Sequence, residues 1–169
     1  MLVNTSWRMA LFAVLMSAGV CAAIEIGPEV GKPSPNLIGR SLDDQSYSLR
    51  SDKGMPKVIN FFSVSCKPCQ KEMPELAKLE QQYPKVKFIA VHTHSENPEN
   101  IAKFIKSLSG TPSHIVLTSG GLQEIFHYFG LPYTLVLDAN NIVVMNLLGY
   151  TSNNMQRLQK HLRRLKPSP

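Results

Sequence analysis

Residues 57–69 read KVINFFSVSCKPC, and no other stretch of the chain restricts its fold as much. The first eight positions are crowded with Val, Ile and Phe, the composition of a strand covered on both faces. Cys66 and Cys69 follow at once, and across residues 67–83 the apolar side chains Met73, Leu76 and Leu79 recur at helical spacing. Cys66 therefore stands where a strand becomes a helix. The unpaired N–H groups and dipole of a helix start favour a thiolate, and thiols so placed fall from about 8.5 into the range of about 3.5–7.5. Lys67 adds a neighbouring cation, which leans the pair away from being strongly reducing. Cys66 is expected to be the attacking sulfur. Cys69 lies one turn further on the same helix face, where it can reach back and release a partner from a mixed disulfide.

Other uses of two cysteines fit less well. A structural zinc needs four ligands, and no second Cys-x-x-Cys exists. As a staple the pair closes too small a loop to constrain the unfolded chain efficiently.

Around this segment the pattern alternates between strand and helix. A lead punctuated by Pro28, Pro33 and Pro35 enters residues 37–49, which turn at Asp43-Asp44-Gln45 like a short hairpin. Strands are expected at residues 57–64, 86–93, 113–118, 133–138 and 142–148, the last two joined through Ala139-Asn140-Asn141. Helices are expected at 67–83, from Pro98 to about Ser109 behind an Asn97 cap, at 121–129 and at 152–165. The order predicts an α/β fold: a central mixed sheet flanked by helices on both faces, with an N-terminal β-hairpin extension. At 169 residues, with no internal repeat or linker, one domain is the natural reading.

The beginning of the chain reads as a targeting segment. Arg8 is followed by an uncharged stretch, residues 9–24, shorter than the ~20 residues of a spanning helix and ending in Cys21-Ala22-Ala23. A signal peptide at 1–23, cleaved after Ala23, leaves a domain at 24–169 in the periplasm or an equivalent exported location. Val20 before Cys21 is unlike a lipid-attachment site, which wants a small residue there. Membrane contact is expected only if residues 9–24 stay uncleaved as an anchor. The formal charge of +6 does not imply nucleic acid, because Lys and Arg are dispersed until the basic end at His161, Arg163, Arg164 and Lys166. That end suits the negative pole of a helix.

The run Asn60-Phe61-Phe62, then Cys66-Lys67-Pro68-Cys69, Glu72 and Pro74, together with Gly130-Leu131-Pro132-Tyr133-Thr134 and Gly149-Tyr150-Thr151, resembles the TlpA/ResA-like branch of the thioredoxin superfamily. The likeness covers nearly all of the chain after the targeting segment, and it implies a thioredoxin-like fold. It also implies a thiol-disulfide oxidoreductase acting on protein thiols and disulfides, with no cofactor beyond a redox-active Cys66–Cys69 disulfide. Electrons would come from a transmembrane thiol carrier. By the same resemblance Pro132 is cis and lies against Cys66, the Leu131 backbone pairs with an extended substrate, and Pro74 kinks the first helix. Glu72, three residues beyond Cys69, would sit partly buried and pass protons to and from it.

Two positions depart from the pattern. Ser65 replaces the aromatic residue that many relatives carry before the first cysteine, and Tyr133 replaces the acid that haem-handling members show after the proline. A role in cytochrome c maturation is therefore not assigned. His92 and His94 alternate at a strand end near the cysteines, which leaves open a copper carrier resembling the Sco-like relatives, although those space their cysteines three residues apart. Exposed histidines in a loop more often face solvent, so no metal is assigned to them; His114 and His127 are expected to be half-buried. A peroxide-reducing relative and a pure binding module are further alternatives. The first needs a lone attacking cysteine, and the second has no use for a reducible pair.

Overall fold

A computed structural model describes residues 26–165; the signal peptide expected at 1–23, with Cys21, and Lys166 lie outside the described residues. The elements run β1 (Ile38–Ser41), β2 (Ser46–Ser48), a 3-10 turn (Leu49–Ser51), β3 (Lys57–Phe62), α1 (Lys67–Gln82), β4 (Lys87–His92), α2 (Pro98–Ser107), β5 (His114–Leu117), α3 (Leu122–Phe126), β6 (Tyr133–Leu137), β7 (Val143–Leu148) and α4 (Ser152–Leu165). They match the expected order, and the seven strands form one mixed sheet ordered β2-β1-β5-β4-β3-β6-β7.

Burial explains why β3 is central. All six of its residues are buried, and it pairs parallel with β4 on one side and antiparallel with β6 on the other. Successive side chains of a strand point to opposite faces, so the two faces hold different cores. Val58 packs with Leu76, Phe88, Val136 and Leu158, beneath α1 and α4. Phe62 joins Cys69, Met73, Ala90 and Ile101, which brings in α2. Ile59 and Phe61 face the other way, toward Leu37, Ile89, Val91, Leu122 and Phe126 of α3 and the N-terminal lead. Among the described residues three helices thus cover one face and one short helix the other.

Leu76 is fully buried in the α1–α4 core. Leu76→Ala should lower stability by about 2–5 kcal/mol through lost transfer energy and an unfilled cavity. Urea unfolding of the oxidised protein measures it, and an unchanged midpoint would contradict this packing of α1.

The N-terminal hairpin extension is present as expected, β1 pairing with β2, and its contact with the sheet runs through antiparallel pairing of β1 with β5. The structure departs from expectation at several ends. α3 stops at Phe126 instead of running to Phe129, because His127 turns left-handed (φ 49°) and sends Tyr128 into the core. β3 ends at Phe62, two residues early, so the chain can turn into the helix. α1 continues through Pro74 to Gln82; having no N–H, this proline leaves one carbonyl of the preceding turn without its helical partner. His114 and His127 are exposed, not half-buried.

Candidate active site

The C-terminal ends of β3 and β4 build the site. Thr93 donates its N–H (3.1 Å) and its hydroxyl (3.3 Å) to the Phe62 carbonyl, tying the two strand ends together. The chain then turns tightly, with Cys66 N–H bonded to Ser63 O at 3.1 Å. Cys66 takes the N-cap position with extended dihedrals (φ −82°, ψ 98°), and its Sγ accepts the Cys69 N–H at 3.2 Å. This is the placement in which a helix start supports negative charge on sulfur. Cys66 and Cys69 are joined as a disulfide, with Cα atoms 5.3 Å apart. Their surroundings differ. Cys69 is completely buried, whereas Cys66 is half-exposed.

One turn further, Glu72 points into the protein and is 3% exposed. Its Oε2 accepts a hydrogen bond from Asn60 Nδ2 at 2.7 Å, and its Oε1 one from the Thr134 hydroxyl at 3.4 Å. Burial pushes the Glu72 carboxyl up to about 7; those two donors oppose the rise and nearby Glu75 adds to it. A carboxyl titrating near neutral pH is suited to giving and taking protons. In the sequence Asn60 and Thr134 stand only as family markers, with no role of their own. The available signal is an Asn flanked on both sides by apolar residues of a central strand, where a buried polar side chain demands a partner.

Before β6, the Leu131–Pro132 peptide bond is cis. Pro132 is buried and its carbonyl accepts the Gly149 N–H at 2.8 Å. Leu131 packs against the cluster that holds Phe62, Cys69 and Met73, as does Cys66, so the loop and the dithiol share one apolar base. No backbone bond among the described residues uses the N–H or carbonyl of Leu131. Phe129, two residues earlier, is 69% exposed.

Tyr133, at the position where haem-handling relatives carry an acid, is buried. It stacks on Tyr128 at 4.8 Å, and its hydroxyl donates to Asn146 Oδ1 at 2.7 Å. Ser65 is exposed, with its hydroxyl 3.2 Å from that of Ser63. His94 faces solvent as expected, but His92 does not. It is 1% exposed, sits edge-on to Phe62, and donates from Nδ1 to the His94 carbonyl at 2.9 Å. Burial holds its pKa below the ordinary imidazole value. Among the described residues no group of three or more His, Cys, Asp or Glu is placed to hold a metal ion, and no helix is long and apolar enough to cross a membrane.

The Redoxin family profile matches residues 29–159. The chain belongs to the Redoxin family. This redoxin is 27% identical over 173 residues to the thiol-disulfide oxidoreductase ResA of Bacillus thuringiensis subsp. konkukian (strain 97-27), a match covering 93% of this chain and 96% of that one. It is also 27% identical over 121 residues to the thioredoxin-like protein YneN of Bacillus subtilis (strain 168), covering 70% of this chain and 71% of the relative. Among solved structures, the thioredoxin domain of a thiol-disulfide oxidoreductase from Bacteroides vulgatus superposes with a TM-score of 0.69 at 22% identity, covering 80% of this chain and 99% of the other. A thioredoxin-family thiol:disulfide interchange protein from Chlorobium tepidum gives a TM-score of 0.62 at 22% identity, covering 80% and 98%. These neighbours place the redoxin in the thioredoxin-like fold.

Proposed function

We propose that this redoxin is an exported thiol-disulfide oxidoreductase that exchanges disulfides with protein substrates through Cys66 and Cys69. One observation carries the reading: a half-exposed sulfur at a helix start is bonded to a fully buried one in the next turn. A stable cross-link has no need of that asymmetry, whereas a two-step exchange does.

In the reducing direction the Cys66 thiolate attacks one sulfur of a substrate disulfide. A mixed disulfide forms, and the other substrate sulfur leaves as a thiolate that takes up a proton. The Cys69 thiol then gives its proton to Glu72, and its sulfur attacks Cys66 Sγ. The second substrate thiolate is released, and the Cys66–Cys69 disulfide closes. Two electrons have passed to the substrate, and a dithiol donor, a transmembrane thiol carrier in this reading, returns them. The unused backbone groups of Leu131 and the cis Pro132 beside it supply an edge on which an extended substrate can lie.

The dithiol form should accelerate insulin reduction well above dithiothreitol alone, read as precipitation of the freed chains. No acceleration would overturn the reading. Export rests on residues 1–23, and N-terminal sequencing of the exported protein should begin at Ile24. A chain beginning at Met1 would indicate an anchor instead.

A further inference from the structure

We propose that Asn60 and Thr134 are the positioning pair that holds the buried Glu72 carboxyl so that it can lose and regain a proton without leaving its place. The inference rests on the proton-transfer role given to Glu72 above, and concerns what makes that role workable in an apolar interior.

The two residues reach each other through the sheet. Asn60 on β3 and Thr134 on β6 are direct partners in the antiparallel register, so their side chains share a face. That face is the one beneath α1, where Glu72 points in. The hydrogens can be followed one by one. Asn60 Nδ2 has two: one goes to Glu72 Oε2 at 2.7 Å and one to Thr134 Oγ1 at 3.0 Å. The Thr134 hydroxyl, having accepted, gives its single hydrogen to Glu72 Oε1 at 3.4 Å. Each carboxylate oxygen thus receives a donor fixed to the sheet, and hydrogen bonds to a carboxylate favour its charged form.

Asn60 Oδ1 supplies the second half of the device. It is buried and has no hydrogen-bond partner among the described residues. Nothing on the oxygen side therefore fixes the amide; its orientation comes from the carboxylate and Thr134. When Glu72 takes a proton the carboxyl has an O–H to donate, and an amide turned over about its last bond presents Oδ1 to receive it. An aspartate would repel the anion and a leucine would satisfy neither state. An amide can serve both.

The other groups around Glu72 are few. Glu75 on the same helix accepts the Tyr150 hydroxyl at 2.6 Å, and both lie close enough to interact with Glu72 electrostatically. The cysteine pair stands at the start of the helix. None of these donates to the Glu72 carboxyl, so among the described residues the sheet pair alone anchors it.

The test is a carbon-13 NMR titration of the Glu72 side-chain carboxyl in the oxidised full domain, run beside the pH profile of the Cys69 resolving step. Thr134→Val keeps the shape and removes the hydroxyl; its Glu72 midpoint should move up by about one pH unit, because a donor to the anion is gone. The resolving step should follow with a matching displacement, while the first attack by Cys66 is unchanged. Thr134→Ser should restore both, and Asn60→Leu should shift the midpoint further. An unmoved midpoint in Thr134→Val would overturn the inference, as would a Thr134→Ser variant that behaves like the valine. Should Thr134→Val fold poorly, the serine and leucine variants decide by the same titration. Failure of the underlying reading looks different. In that case Glu72→Gln itself keeps a normal pH profile, whatever the NMR midpoints do.

Discussion

Cys69→Ala is expected to turn a catalyst into a trap. The half-exposed Cys66 keeps its helix-start environment and still attacks, so a mixed disulfide with the substrate forms. The buried Cys69, whose attack would release that substrate, is missing. Covalent complexes should accumulate and appear on non-reducing gels, while multiple-turnover insulin reduction falls to the uncatalysed background. Cys66→Ala should show the same loss of turnover with no trapped partner, since the remaining sulfur is completely buried and cannot meet a protein disulfide. The two variants share a phenotype in activity and differ in trapping. If Cys66→Ala captured partners and Cys69→Ala did not, the assigned roles would be reversed.

Glu72→Gln should separate stability from function. The folded carboxyl titrates at about 7 against an ordinary 4.5, because burial penalises its charge. A raised value means that the folded form binds the proton more tightly than the unfolded chain. The associated stability is fully present below about pH 4.5 and is lost as pH rises through 7. A shift of this size corresponds to about 3 kcal/mol at alkaline pH. The glutamine side chain carries no charge, so the oxidised variant should be the more stable of the two above pH 7, by up to about that amount, and nearly equal to wild type at about pH 4. Catalysis should move the other way. Proton transfer by a placed side chain contributes typically about 10²-fold or more, so the resolving step should slow by several-fold to about 10²-fold and lose its response to pH. The first attack should hardly change. Urea unfolding at several pH values and stopped-flow reduction of a model disulfide read the two effects independently. Unchanged resolution at every pH would reduce Glu72 to a buried helix residue.

Much of this arrangement was legible in residues close together along the chain. The apolar run before Cys66, the helical spacing after Cys69 and the Asn97 cap ahead of Pro98 all express preferences that act within one or two turns, where side-chain period and capping decide the outcome. The cap is present as expected, with Asn97 Oδ1 accepting the Glu99 N–H at 2.9 Å. Other features had no local signal. His92 and His94 are two residues apart with equal polarity, yet one is buried against Phe62 and the other faces solvent. His92 lies edge-on to Phe62, which itself stacks on Phe104, and these contacts come from residues distant along the chain.

The order of strands and helices, the placement of a dithiol at a helix start and a carboxyl on the same side of that helix can all be read along the chain. Each depends on backbone geometry that repeats over a few residues. The joining of the first hairpin to β5, the early end of α3 and the company Glu72 keeps arise instead from contacts between elements far apart along the chain. Asn60 and Thr134 are 74 residues apart, and Thr134 and Glu72 are 62 apart. They meet because β3 and β6 pair in one particular register and α1 lies across them. Strand register is set by the burial of whole faces, so it is a property of the folded sheet.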